Sequence, residues 1–466
     1  MKLNTKRTVL VGLAFLSISA FWQMYDSVVP LILANNFDLD ESLTGMIMAA
    51  DNILALFLLP LFGGLSDKVN TPIGRRMPFI LGGTAIAAVL MNILPQLANN
   101  YFKISVRNSA GDLEHLPFLI GFVVVLGLLL VAMGTYRSPA VALMPDVTPK
   151  PLRSKGNAII NLMGAVGGII YLAIAALLYS NANIEAFFKI GTIPGADGNP
   201  VAVVDYTTLF AVVSGIMVTA IVVLFITIKE SKLVAENRAY EQEHPEQILT
   251  QTAADGSEEL PKDVKRSLAF LLVSISLWFI GYNGVTTWFS TYISRVMGEG
   301  IGGASTCLLV GTAGAIVSYI PIGNLASKIG RRKTILGGVA LLATCFATGY
   351  FVTVNATAIT PVMYVLFALV GLAWAAINVN SLPMVVEMCK GSEVGKFTGY
   401  YYTFSMIAQV FTPVVAGTLL KTIGYQVLFP YAAFFVACAF VTMMFVKHGD
   451  AKVEAKKGME AFDTDD

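Results

Sequence analysis

The apolar positions of this chain come in long runs rather than in alternation. Twelve such runs lie near 8–34, 43–65, 78–97, 117–145, 157–180, 206–228, 267–291, 303–326, 334–354, 361–388, 397–420 and 425–446. Each meets the ~20 residues that a helix needs to cross a hydrocarbon core of ~30 Å. Runs this long, with glycine and proline inside them, do not fit the ~10-residue alternating strands of a barrel, so the expected class is an all-α membrane protein. The first run is longer than the ~7–15-residue core of a signal peptide and ends without a small-residue cleavage site, so it reads as a retained span. Between the sixth and seventh runs, about 230–266 is rich in Glu, Gln and Lys and predicts a flexible linker. The expected organisation is a six-helix bundle over 1–229, a cytoplasmic linker over 230–266, a second bundle over 267–446 and a cytoplasmic tail over 447–466.

Composition supports a lipid solvent. Charged residues make up 13% of the 466 and apolar residues 56%, against roughly 25% charged in soluble domains. A net charge of +1 provides no field for nucleic acid. Apart from Arg137 and the five residues Lys103, Arg107, Lys189, Arg295 and Lys421, the Lys and Arg residues flank the runs on one side. The positive-inside rule then predicts that both termini are cytoplasmic, in a plasma membrane. The four cysteines, Cys307, Cys345, Cys389 and Cys438, lie in or at the ends of apolar runs and show neither a disulfide framework nor a metal spacing. His115, His244 and His448 all fall in loops. No catalytic cluster is visible, so neither an enzyme nor a cofactor is expected.

The two halves repeat each other. Gly63-Gly64-Leu65-Ser66-Asp67-Lys68 followed by Gly74-Arg75-Arg76 returns as Gly323-Asn324-Leu325-Ala326-Ser327-Lys328 followed by Gly330-Arg331-Arg332. Arg137 precedes Asp146 by the same nine residues that separate Asn378 from Glu387. Two parallel six-helix repeats around a cavity are implied.

The loop pattern G-x-L-x-D-[RK] with G-R-R resembles the signature of the major facilitator superfamily, over the whole chain. Its extended form from Ser66 to Phe79, together with the stretch Arg137 to Asp146 and then Pro149 and Arg153, resembles the sucrose:proton symporters and the wider glycoside–cation symporters. That resemblance implies a cytoplasmic latch of Asp67, Arg75 and Arg76, with Asp146 and Glu387 as expected partners and Arg153, Arg331 and Arg332 beside them. Such carboxylate–guanidinium pairs hold one state and break when that side opens. The alternative is that the arginines only keep the loops inside. Ser327 replaces the acid in the second half, so the two latches cannot be equivalent.

Three ionisable residues lie at depth, where each costs at least ~2.5–3.5 kcal/mol to insert and is retained with a partner, a cavity or a function. Ser19, Gln23, Asp26 and Pro30 share one helical face. Asp26 and Asp51 fall roughly 12 Å from the outer ends of their spans at ~1.5 Å per residue, and can share a pocket. Two such carboxylates suit a proton or a cation; the alternative is that Asp26 or Asp51 bonds a neighbouring helix or caps a pore-lining Asn such as Asn52. The sodium-coupled melibiose-type relatives carry acids in the middle of the fourth span. This chain has none between Phe118 and Pro145, which favours a proton. Arg137 could serve sugar hydroxyls or a carboxylate, or else snorkel.

On the seventh span Asn283, Thr286, Thr287 and Ser290 form a polar stripe, and Trp278, Tyr282, Phe289 and Tyr292 an aromatic one. Trp374 and Asn378, Tyr401 and Gln409, and Asn161 add the same chemistry on three more spans. Amide and hydroxyl groups suit a polyol, and aromatic faces suit the apolar side of a pyranose. The expectation is a monomeric proton-coupled importer of a disaccharide or glycoside. A proton-coupled drug exporter and a non-transporting sugar sensor of the same fold are the alternatives.

Overall fold

The computed structural model describes residues 4–107, 114–149, 152–195, 200–243, 261–388 and 394–450. Cys389, His244, most of the linker (244–260) and the tail from 451 lie outside the described residues. Among those described, twelve helices are long and apolar enough to cross a bilayer. In chain order the first half holds α1 (Thr5–Leu31), α2 (Glu41–Lys68), α3 (Met77–Arg107), α4 (Leu116–Val147), α5 (Arg153–Leu178) and α6 (Thr207–Thr227). A hairpin of β1 (Lys189–Pro194) and β2 (Pro200–Val204) precedes α6. After α7 (Glu230–Glu243), the second half holds α8 (Lys262–Met297), α9 (Ile301–Ile329), α10 (Arg331–Thr353), α11 (Pro361–Glu387), α12 (Val394–Ile423) and α13 (Leu428–Met444).

Helix ends follow local chemistry. The Asn4 side chain accepts from Arg7 N at 3.1 Å, and Asp40 accepts from Leu43 N at 2.9 Å, so α1 and α2 begin at side-chain caps. Gly298, with φ at 65°, ends α8 in the left-handed conformation that glycine adopts most easily. Pro30 lies near the end of α1, which widens into a π turn over Ile32–Asn36.

Within each half the helices pack as bundles, α1 on α5 and α3 on α4 in the first, α9 on α11 and α8 on α13 in the second. The halves meet along α2 with α12, α5 with α9 and α1 with α8. These pairings exchange the two halves symmetrically, as the sequence repeat implies.

One expectation is corrected. The first part of the expected linker is the helix α7, tied to the first half through Ser231 Oγ donating to Pro72 O at 3.0 Å and Asn237 Nδ2 donating to Asp146 O at 3.1 Å. Polar bonding to loop and helix ends orders a segment too hydrophilic to be held by apolar burial. The β hairpin between the fifth and sixth spans also had no clear signal in the hydropathy pattern.

Candidate functional site

A cavity of about 520 Å³ lies between the halves. From the first half it is lined by Gln23 and Asp26 of α1, Asp51 and Asn52 of α2, and Arg137 of α4. The second half contributes Asn283, Thr286 and Thr287 of α8 and Gln409 of α12. Two lobes of about 270 and 240 Å³ adjoin it and share Gln23. The first reaches Asn161 of α5 and Tyr319 of α9, towards the face that carries both termini. The second holds Tyr282, Asn283 and Thr286 among Leu308, Phe346, Phe367 and Val370.

Asp26 and Asp51 thus open on one space, as their depths in the sequence suggest, and Arg137 opens on it with them. The Arg137 guanidinium stands 5.6 Å from the centre of the Trp22 ring, and among the described residues it forms no ion pair with either carboxylate. Asn52 donates to Asp51 at 2.7 Å. The Asn283 amide nitrogen and the Trp22 indole nitrogen are buried without a hydrogen-bond partner. An unpaired buried donor costs ~1–3 kcal/mol, so these two groups are held here at a cost to stability.

The structure places the aromatic residues of the expected stripe in different surroundings. Tyr282 lines a lobe and is stacked face to face on Trp374, with centroids 3.8 Å apart and planes 9° apart. Trp374 therefore stands behind Tyr282. Trp278, Phe289 and Tyr292 are fully buried in the second bundle; a stripe read from helical spacing does not reveal which side neighbouring helices cover. Asn378 and Tyr401 are likewise buried, both next to Ser381, whose hydroxyl lies 3.2 Å from the Tyr401 hydroxyl and donates to Asn378 O at 3.4 Å.

On the face opposite the termini, many bonds join the halves. Asn35 Nδ2 donates to Ser294 Oγ at 3.1 Å, Arg295 Nη2 to Ala34 O at 2.5 Å, Asn181 Nδ2 to Glu299 Oε2 at 2.6 Å and Tyr425 OH to Glu41 Oε1 at 2.6 Å. Lys421 Nζ lies 3.0 Å from Asp40 Oδ2. The Leu43 amide and Lys421 hold the Asp40 carboxyl below its usual range. Gly45 and Gly417 let backbones touch here, since a Cβ on the first would strike Pro413 O and one on the second Glu41 O. Sequence reading missed this seal because its donors and acceptors are scattered over several loops and helix ends.

The face carrying the termini is organised differently. Asp146 accepts from Arg75 Nη2 at 2.6 Å and from Arg76 Nε at 2.9 Å, and Arg76 also donates to Asp67 and to Ser66 Oγ, each at 2.5 Å. Glu387 was expected to join this group, but it pairs with Arg331 within its own half. A pair across the halves would draw these helix ends together, whereas the inter-half bonds described above gather at the opposite face. Arg153 Nε donates to Thr148 O at 3.2 Å.

Two acids absent from the expected latch complete the arrangement. The Glu230 carboxylate, in a residue 1% exposed, accepts from the amides of Arg75, Arg76 and Met77, each at 2.9 Å, and so caps α3. A Cβ on Gly74 would strike this carboxylate, and the φ of 117° there is one that side-chain-bearing residues rarely adopt. In the second half Asp450 accepts from Arg332 N at 3.2 Å at the start of α10, while Arg332 Nη2 donates to Met444 O at 2.8 Å. An acid beyond the sixth helix of each half therefore caps the third. The partners are backbone amides, which carry no residue pattern.

The Major Facilitator Superfamily profile matches residues 11–319 and 301–463. The chain belongs to that superfamily, and the twelve membrane-crossing helices among its described residues make it a multi-pass membrane protein. Among curated relatives, a sucrose transport protein of Arabidopsis thaliana is 28% identical over 141 residues, covering 28% of this chain and 23% of that protein. A sucrose transport protein of Oryza sativa subsp. indica is 25% identical over 171 residues, 36% of this chain and 28% of that protein. The matches thus span about a quarter of the length of these relatives. Solved structures of similar fold include a bacterial homologue of the iron transporter ferroportin, at TM-score 0.66 and 12% identity, covering 95% of this chain and 99% of that one. The xylose transporter XylE from E. coli gives TM-score 0.60 and 14% identity, covering 95% and 96%.

Proposed function

We propose that this protein is a proton-coupled sugar symporter of the plasma membrane that takes up a disaccharide or related glycoside by alternating access. The observation that carries the reading is the shared cavity, in which Asp26, Asp51 and Arg137 from one half face Asn283, Thr286, Thr287 and Gln409 from the other. With both termini in the cytoplasm, the sealed face is external and the structure corresponds to an inward-facing state. The sugar is held by amides and hydroxyls from both halves and rests against Tyr282. Protonation of Asp26 or Asp51 removes a charge that would otherwise cross the closed interface unpaired. Proton and sugar drive the cycle only by binding differently to the two states. The partial likeness to sucrose transport proteins supports a sugar as substrate. The lobe walled by Leu308, Phe346, Phe367 and Val370 favours the exporter alternative, because it suits an apolar group.

The deciding experiment is uptake of radiolabelled disaccharides and monosaccharides into proteoliposomes, with and without an inward proton gradient. Gradient-driven accumulation of one sugar is the expected result. Folded protein that accumulates none, yet expels an apolar cation against the gradient, would establish the exporter in its place.

A further inference from the structure

Arg137 is flanked in sequence by two residues that bond to the two helices carrying the carboxylates. The phenol of Tyr136, which is fully buried, donates to Ala14 O at 2.9 Å and closes on Ser17 Oγ. Both partners belong to α1, the helix of Asp26. Ser138 Oγ donates to Leu59 O at 2.8 Å, on α2, the helix of Asp51. Steps of about 100° per residue send positions 136 and 138 to opposite flanks of α4. Arg137 projects between them into the cavity, over Trp22. Both flanks are tightly packed, for a Cβ on Gly83 would come within 2.9 Å of Tyr136 Cβ and one on Gly63 within 2.9 Å of Ser138 Oγ.

We infer that Tyr136 and Ser138 are positioning residues that fix the reach of Arg137 between Asp26 and Asp51. The interaction of a guanidinium with a carboxylate varies inversely with distance and is strong where water is scarce. A small displacement of α4 against α1 or α2 therefore changes how readily each carboxylate takes a proton. The titratable groups facing Asp26 are Tyr25 on its own helix, Asp51 on α2, Arg137 on α4, Tyr171 on α5 and Tyr282 on α8. Tyr25 and Arg137 also face Asp51. Of these groups only Arg137 lies on α4, so loosening either bond moves one charge against a fixed set. The consequence for coupling rests on the symport reading above; the placement of Arg137 does not.

The test uses Tyr136→Phe and Ser138→Ala in the full chain, each of which removes a hydroxyl and little volume. In proteoliposomes, sucrose counterflow is expected to persist while the pH midpoint of gradient-driven sucrose uptake moves by about half a unit or more. In an Arg137→Lys background neither substitution is expected to shift the profile further. A second measurement is independent of coupling: phenylglyoxal modification of Arg137, followed by peptide mass spectrometry, is expected to accelerate several-fold in both variants. An unchanged modification rate overturns the inference. So does a pH profile that superimposes on that of a proton-coupled wild type, even with reduced thermal stability, since the bonds would then be structural only. If wild-type uptake itself ignores pH, the symport reading fails and the modification rates alone decide the role of the two residues.

Discussion

Replacing Glu230 by alanine takes the acceptor from three backbone amides at the start of α3. All three bonds are 2.9 Å long, in a site 1% exposed. A bond to a charged acceptor contributes about 1.5–3 kcal/mol net, and a carboxylate at a helix N-terminus about 0.3–2 kcal/mol. These terms overlap and water reaches part of the vacated space, so we expect a loss of about 3 kcal/mol. At roughly 2–4 °C per kcal/mol, Tm falls by about 6–12 °C. Glu230→Gln keeps one acceptor oxygen but loses the charge and turns an amide NH2 towards a backbone N–H, so it is expected to lose at least about half as much. Glu236→Ala is the control, because that carboxylate is 54% exposed and 4.0 Å from Arg7, a pair worth about 0–1 kcal/mol. The assay is thermal unfolding of the detergent-solubilised protein followed by far-ultraviolet circular dichroism, which reports loss of helix in both bundles. If Glu230→Ala and Glu236→Ala melt together, the capping argument is wrong.

Asp146 is 15% exposed and Asp67 56%, so Asp146→Asn is expected to cost about 3 kcal/mol and Asp67→Asn less than about 1, read as the ranking of their melting temperatures. Asp26→Asn is expected to retain sugar counterflow and lose uphill accumulation, and normal accumulation would remove Asp26 from coupling. Gly417→Val places side-chain atoms against Glu41 O and Trp288, so the seal cannot close: net uptake should fall, and a cysteine at Ser294 should become reactive to an impermeant thiol reagent from the sealed face. The Asp40 carboxyl has a depressed folded value, so the stability it gives is complete above the ordinary value of about 3.9 and is lost as pH falls through the depressed one. Thermal stability of wild type and Lys421→Ala should therefore differ by a constant amount from pH 5 to 8 and converge only in stronger acid.

The spans and the half-repeat were legible because each rests on a dense local signal, either twenty apolar residues in a row or the Gly-Arg-Arg loops that return after 256 positions. Asp26 and Asp51 could be read as neighbours from depth alone, whereas Arg137 lies nearer the inner end of its span, where the sequence leaves open a carboxylate or a sugar as its partner. Trp374 and Tyr401 read as site residues because each shares a span with an amide side chain, but only packing decides which side of a helix meets the cavity, and it turns Tyr401 away. Glu230 lay hidden for a different reason. It sits in a polar run whose average character is that of solvent, and what it binds is backbone.

The cap at Glu230 also bears on how the protein is made. Asp67, Arg75, Arg76, Asp146, Glu230 and Glu236 all lie within the first 243 residues, so the first bundle needs nothing from the second to complete its ties. As the chain emerges from the ribosome N-terminus first, that bundle can reach its final form once α7 is synthesised, before α8 enters the membrane. The seal must form later, when the second bundle presents Ser294, Arg295 and Glu299. Biogenesis then has two stages, an autonomous first bundle followed by docking, and defects in the seal should trap a protein whose first half is already native.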